Sequence, residues 1–372
     1  MIKSVNRRLI SDVPVGTCLS GGIDSSSIAC MINKSKRTEI KTFSAVFPGF
    51  QKDESKYINI VSSKTKMKNY KIRPSAVGIK NELFDYIQGV GEPVPSPSPY
   101  SQYKVVELAK QNNVTVLLDG QGADELFAGY HVFFGFYIKG LLKKGKIVKA
   151  LREIFGIFRG GKYHMGILTI GFLFTPFFIR EFYFNYKSNI SKELLKEKGE
   201  KTSFFEKHYK LSSLHKSLEF YLQNKLEQLL KWEDRNSMIH SRESRVPFLD
   251  IDVMRFVFQL PEEYIISNGK TKMILRDAMA GIVPDEILQR RDKIGFAVPE
   301  NEWFREQFLI DLLSDWFINK EPLSKNYINL DKTRKMIKLH INNKKNYGRT
   351  FWRIIFLETW LRIYQHKFNT KE

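Results

Sequence analysis

Apolar and polar positions in the first third of the chain follow two alternating rhythms, one of strands and one of helices. Val13–Ser20 is a short, nearly continuous apolar run that predicts a buried strand, and the segment from about Ser25 to Lys34 carries helical spacing. Ile40–Phe47 predicts a second strand, closed by Pro48-Gly49 and followed by a helix starting near Asp53-Glu54. Asn69–Ile72 is a weaker third. From Gly91 to Pro99 four prolines fall within seven residues, which removes amide donors and predicts an extended loop without helix. A helix over about Ser101–Gln111 then leads to Val114–Asp119, the clearest strand of the chain. Strands alternating with helices predict a parallel sheet with covering helices.

Beyond Tyr130 the pattern turns helical and stays so, which divides the chain into an α/β core over residues 1–130 and a mostly helical region over 131–372. Within the second part, Met165–Ile179 is an apolar run of 15 residues interrupted by Pro176. A spanning helix needs ~20 apolar residues, so a buried or lid-forming helix pair is expected there. The basic, amphipathic stretch Lys139–Arg159 before it leaves contact of the 139–190 region with a membrane surface or a partner open. No internal repeat, low-complexity segment or flexible linker interrupts the chain.

Composition adds three points. A hydrophobic content of 42% can fill a real core. The formal charge of +20 admits anionic small substrates, nucleic acid or an acidic membrane. Its lysines are scattered without a long basic block, which favours a nucleotide site within a basic surface over nucleic-acid binding. Cys18 and Cys30 are the only cysteines, both in apolar surroundings, so a disulfide framework is not expected and a reducing, cytoplasmic compartment fits. The basic N-terminus carries no apolar run of signal-peptide length.

The strongest chemical signal is Leu19-Ser20-Gly21-Gly22-Ile23-Asp24-Ser25-Ser26, between a buried strand and a helix. A glycine pair lets backbone amides approach phosphate oxygens, the serines add hydroxyl donors, and the helix points its positive end at the anion. Asp24 inside such a cradle would repel phosphate unless Mg²⁺ sat between them, which makes it a metal-ligand candidate. The plain alternative is a glycine-rich turn with Asp and Ser as helix caps. Ser-Gly-Gly-x-Asp-Ser resembles the pyrophosphate-binding loop of the ATP pyrophosphatase superfamily.

A second motif narrows that likeness. Leu118-Asp119-Gly120-Gln121-Gly122-Ala123-Asp124-Glu125-Leu126-Phe127-Ala128-Gly129-Tyr130 resembles a segment of the asparagine synthase family, as do Glu243–Asp250, Gly269–Arg276 and the run from Pro284 to Pro299. Asp124 stands at a strand end of the same sheet as Asp24, on the edge where open α/β sheets bind ligands, so the two carboxylates are expected to share one Mg²⁺. Lys272 and Arg276 lie one helical turn apart and are candidates to place two cations beside the α-phosphate and the leaving pyrophosphate, with a solvated lysine as the alternative. Arg245 and Asp250 read as an internal structural pair, with substrate contacts as the alternative.

The resemblance implies a five-stranded parallel sheet with helices on both faces, similar to the adenine nucleotide alpha hydrolases, and a helical part that completes the cleft. It implies ATP as cofactor, adenine against main-chain groups near Leu19 and Val46, and ribose near Gly120, with Asp119 among the nucleotide-site residues. It implies that a carboxylate, foremost the aspartate side chain, is adenylylated and then passed to ammonia. Two departures stand out. Met1 precedes the loop serine Ser20 closely and no glutaminase domain is present in this sequence, so ammonia is expected as free ammonium or from a separate glutaminase. Gln121 replaces the usual glutamate and is expected in the cleft. Other readings of the same fold are amidation of another carboxylate such as a polysaccharide uronic acid, a lactam or peptide cyclase, and an inactive remnant or subunit.

Overall fold

The computed structural model describes residues 1–35, 40–159, 166, 167, 170, 171, 174–199, 203–292 and 296–368. Five parallel strands form one sheet in the order β3-β2-β1-β4-β5: β1 Val15–Cys18, β2 Lys41–Ala45, β3 Asn69–Ile72, β4 Val116–Leu118 and β5 Glu243–Arg245. The expected fold class is therefore the observed one. β1 lies at the centre, with Gly16 opposite Lys41 of β2 and Leu117 of β4. A Cβ at Gly16 would stand 2.9 Å from the Phe43 ring, so the central strand admits no larger residue without displacing its neighbour.

Among the described residues, eight helices run from the N-terminus to the end of the basic stretch: α1 Ile2–Arg8, α2 Ile23–Lys34, α3 Ser55–Thr65, α4 Ala76–Val90, α5 Ser98–Gln111, α6 Ala123–Leu126, α7 Val132–Lys143 and α8 Ile147–Arg159. Further helices among the described residues include Phe177–Lys187, Glu227–Ile239, Met273–Ala278 and the long Gly348–Phe368. One apolar core gathers β1, α2, α7 and residues as distant as Leu288, and a second joins β2, α4 and α5 to Trp352 and Phe356 of the last helix. Both cores thus cross residue 130, and β5 comes from the part of the chain whose pattern reads as helical.

Two local expectations change. The proline-rich loop ends earlier than its composition indicates, because α5 begins at Ser98 with a proline in its first turn. A first-turn amide has no intrahelical partner, so Pro99 costs nothing there. Arg245 and Asp250 do not pair with each other: Asp250 accepts from Arg7 at 3.1 Å and Arg8 at 2.9 Å. Arg245 instead donates to the carbonyls of Arg8 at 2.8 Å and Ile10 at 2.7 Å, and pairs with Glu243. These contacts fasten α1 to the edge strand. Residues 293–295 of the Pro284–Pro299 run and most of Met165–Leu173 lie outside the described residues. No helix among the described residues is long and apolar enough to cross a membrane.

Candidate functional site

Loops leaving β1 and β4, adjacent strands, meet at the carboxyl edge of the sheet, where open parallel sheets present their ligand crevice. A cavity of about 620 Å³ opens between them, closed on the far side by residues of the helical part. Leu19, Ser20, Gly22, Asp24, Ser25, Asp119, Gly120, Gln121, Asp124, Lys272 and Arg276 all line it. Gly21, Val46 and Ser26 do not. Ser26 is fully buried inside α2, and Val46 lies in the core with its amide bonded to Ile72, leaving Ser44 and Ala45 of β2 to face the cavity.

The first loop is shaped by backbone demands. Gly21 has φ +75°, and a Cβ there would lie 2.7 Å from Cβ of Tyr57, so only glycine satisfies both conformation and space. The Ser20 amide donates to Ser25 Oγ at 3.1 Å, and the two hydroxyls are 3.0 Å apart. Gly22 caps α2 without a side chain of its own, its amide donating to Ser20 Oγ at 3.4 Å, and the positive helix end faces the cavity. Arg290, itself on the cavity wall with Glu54 and Asp292, braces the loop, donating to the Gly21 carbonyl at 2.9 Å, pairing with Glu54 and Asp292 at 2.8 and 2.9 Å, and lying 3.8 Å over the Tyr57 ring. Arg290 falls within the Pro284–Pro299 run, yet nothing in the sequence singles it out. Its burial, the mark of an inward role, has no local sequence signal.

The second loop carries Gly122 at φ +84°, where a Cβ would meet Leu249 at 2.3 Å. Asp119 anchors this loop rather than standing free. Its carboxylate accepts from Gln102 and from the Gly120 and Gln121 amides, and lies beside the Cys18 thiol. Burial raises its pKa against those hydrogen bonds. Glu233, on the helix Glu227–Ile239, is buried close by, and burial followed by the charge of Asp119 pushes its carboxyl well above the usual range.

Lys272 joins the two loops. Its Nζ lies 2.6 Å from both oxygens of Asp24 and 2.6 Å from Asp124 Oδ1, with only 4% of its side chain exposed. The residue caps helix Met273–Ala278 in a left-handed conformation, φ +58°, and its amide donates to the Phe127 carbonyl at 3.1 Å. A non-glycine residue held there costs about 1 kcal/mol or more, which marks the position as one fixed by its surroundings. Gly129 supplies the room: a Cβ there would lie 1.8 Å from Asp124 Oδ1 and 2.6 Å from Lys272 Cε. Arg276 lines the same wall but spends its guanidinium on the carbonyls of Thr271, at 2.8 Å, and Leu288. Burial lowers its pKa, opposed by the charge of Asp24.

Two carboxylates that hold an ammonium at 2.6 Å present the hard oxygen donors that suit Mg²⁺, and the lysine marks the point between them that a cation takes. Among the described residues no group of three or more His, Cys, Asp or Glu gathers as a metal site. A two-carboxylate site of this kind fits Mg²⁺ only when phosphate and water supply the remaining ligands. Neither cysteine is primed as a nucleophile: burial, then the charges of Asp119 and Glu233, push the Cys18 thiol well up, and burial raises Cys30 to about 11.

Fold and site together define an open parallel α/β protein with a two-loop, acidic crevice closed by a lysine. The family described as asparagine synthase matches residues 1–362, and the chain belongs to that family. It is 30% identical, over 97% of its length, to asparagine synthetase (glutamine-hydrolyzing) 1 of Bacillus subtilis strain 168. It is 27% identical, over 77% of its length, to asparagine synthetase (glutamine-hydrolyzing) 3 of the same organism. The matched region amounts to 58% of the first relative and 46% of the second, so the chain spans about half the length of these relatives.

Proposed function

We propose that the chain is an ATP-dependent amide-forming synthetase that adenylylates a carboxylate, the aspartate side chain in the first instance, and transfers it to ammonia. The products are asparagine, AMP and pyrophosphate. The observation that carries this reading is the ammonium of Lys272 held between Asp24 and Asp124 in a cavity floored by two glycine loops.

The Ser20, Gly22 and Ser25 groups and the N-terminus of α2 hold the pyrophosphate portion of ATP. Asp24 and Asp124 would hold Mg²⁺, which when bound neutralises phosphate charge. Drawn away from the carboxylates, Lys272 follows the negative charge that develops on the leaving pyrophosphate, while the fixed guanidinium of Arg276 adds a cation it need not reorganise to supply. A substrate carboxylate oxygen attacks the α-phosphorus and the bond to pyrophosphate breaks. Ammonia nitrogen then attacks the acyl carbon, the bond to AMP breaks, and nitrogen gives up a proton. Gln121 borders this space and orients by neutral hydrogen bonds, since an amide takes no proton at neutral pH.

Carboxylate-dependent exchange of labelled pyrophosphate into ATP tests the reading. Aspartate is expected to support exchange, and ammonium to convert it to asparagine. With glutamine alone this 372-residue chain is expected to release no glutamate, because both its thiols are held protonated. Absence of exchange with aspartate, alongside exchange with a uronic acid, would overturn the choice of acceptor. Absence with every carboxylate would overturn the activity.

A further inference from the structure

Helix α8 has two unlike faces. Ala150, Glu153 and Ile157 are buried, and Glu153 accepts from the Gly269 amide at 3.1 Å. A Cβ at Gly156 would stand 2.5 Å from the backbone of Asn268, so this face lies directly on the turn before Lys272. The opposite face turns Ile147, Val148, Leu151 and Phe155 outward, with Val148 82% and Phe155 64% exposed. Positions 147, 151 and 155 recur every four residues and form one stripe. The helix Phe177–Lys187 repeats the pattern with Phe178, Phe182 and Tyr186, each about 70% exposed. Such stripes of large apolar side chains in water mark a contact surface.

Charge decides what kind. Residues 139–187 contain ten Lys and Arg against two Glu, and so hold a large share of the chain's +20. Lys144 and Lys149 pair with Glu262 and Glu263. Lys143, Lys146, Arg152 and Arg159 are exposed beside the α8 stripe and pair with no carboxylate among the described residues. A second copy would bring the same excess of positive charge and be repelled. A surface of anionic headgroups over acyl chains complements both features at once: cations meet phosphate, and the apolar stripe enters the boundary below.

We infer that α8, assisted by the helix Phe177–Lys187, docks the protein on an anionic phospholipid surface, with the inner face of α8 serving as a wall of the cavity. The arrangement holds the cavity within one helix thickness of the bilayer, about 10 Å. It does not depend on which carboxylate the site takes.

Flotation of the full chain with vesicles is the test, using phosphatidylcholine alone and phosphatidylcholine with about 30% phosphatidylglycerol. The chain is expected to float with the anionic vesicles only, and to be released when NaCl is raised from about 0.1 to 0.5 M, where screening shortens to a few ångströms. Leu151→Glu with Phe155→Glu should cut the bound fraction at least tenfold. So should Lys143→Gln, Lys146→Gln and Arg152→Gln together, a set that leaves the apolar stripe intact and guards against loss through misfolding. Both sets should melt as the parent chain does. Three results would overturn the inference: no flotation with anionic vesicles, equal flotation with neutral ones, or a dimer in sedimentation that Phe155→Glu disperses while vesicle binding is absent.

Discussion

Two acidic pairs occupy the same sheet edge, and their surroundings set them to opposite work. Asp24 and Asp124 enclose the Lys272 ammonium at 2.6 Å and border the cavity. Asp119 and Glu233 have neutral partners, namely Gln102, Ser244, the Cys18 thiol and two loop amides. Burial drives both of their pKa values upward. Whether a cation reaches a carboxylate therefore separates the pair that borders the ligand crevice from the pair whose pKa values burial raises within the scaffold.

Breaking the charged pair should have the largest effect. Asp24→Ala or Asp124→Ala is expected to lower pyrophosphate exchange by about 10³-fold while the circular dichroism spectrum is kept, since each removes a preorganised charge at the phosphate site. Near-normal exchange in either variant at saturating Mg²⁺ would show that the pair is structural only. Gly129→Ala attacks the same trio through space, not charge. The added methyl has no room beside Asp124 and Lys272, so urea denaturation should show a loss of about 1–3 kcal/mol, together with a fall in exchange. Gly171→Ala, at a helical position where nothing lies within 4 Å, is the control and should keep the midpoint in place or raise it.

Gln121 tests how far the charged pair's influence extends. If aspartate is the acceptor, Gln121→Glu should leave its rate unchanged or raise it by up to about tenfold, the value of exchanging a neutral hydrogen bond for a charge-assisted one to an ammonium group. A large loss with aspartate specifically would exclude aspartate as the natural acceptor. The smallest effect belongs to the buried pair. Glu233 has a folded pKa above its ordinary value of 4.5, so above pH 4.5 the native state binds more protons than the unfolded chain and stability falls as pH rises toward the folded pKa. Glu233→Gln removes that dependence. The variant's stability relative to the parent should grow from pH 4.5 upward in denaturant melts, and a gap that shrinks with pH would refute the raised pKa.

What could be read in advance followed from locality. β1, β2 and β4 are buried along nearly their whole length; β4 is an unbroken apolar run, while β1 and β2 mix β-branched and apolar residues with small buried hydroxyls at Thr17, Thr42 and Ser44, and the glycine loops announce themselves because backbone approach demands residues without side chains. β5 escaped reading because Glu243-Ser244-Arg245 is polar and joins the sheet edge through its backbone, with the pairing to β4 setting its place. Arg290 and Glu233 were missed for a related reason: a charged residue looks alike in sequence whether it is solvated or buried against a partner far along the chain. Lys272 was singled out in the sequence on a helical face, beside the phosphates. Its position as a left-handed cap clasped by two aspartates depends on contacts 148 and 248 residues away, beyond any local pattern.

That clasp also orders events during biosynthesis. Asp24 and Asp124 leave the ribosome 248 and 148 residues before the lysine that joins them, about 12–50 s and 7–30 s earlier at ordinary rates of elongation. Until Lys272 arrives, the two glycine loops carry like charges with nothing between them, and the long loop that separates them from their cation must still be closed. The crevice therefore cannot take its final form while the chain is incomplete, and its assembly coincides with docking of the segment after Gly269 against α8 and the Phe127 carbonyl. A half-made chain displays two loops that repel each other, and the finished one is latched by a single amine.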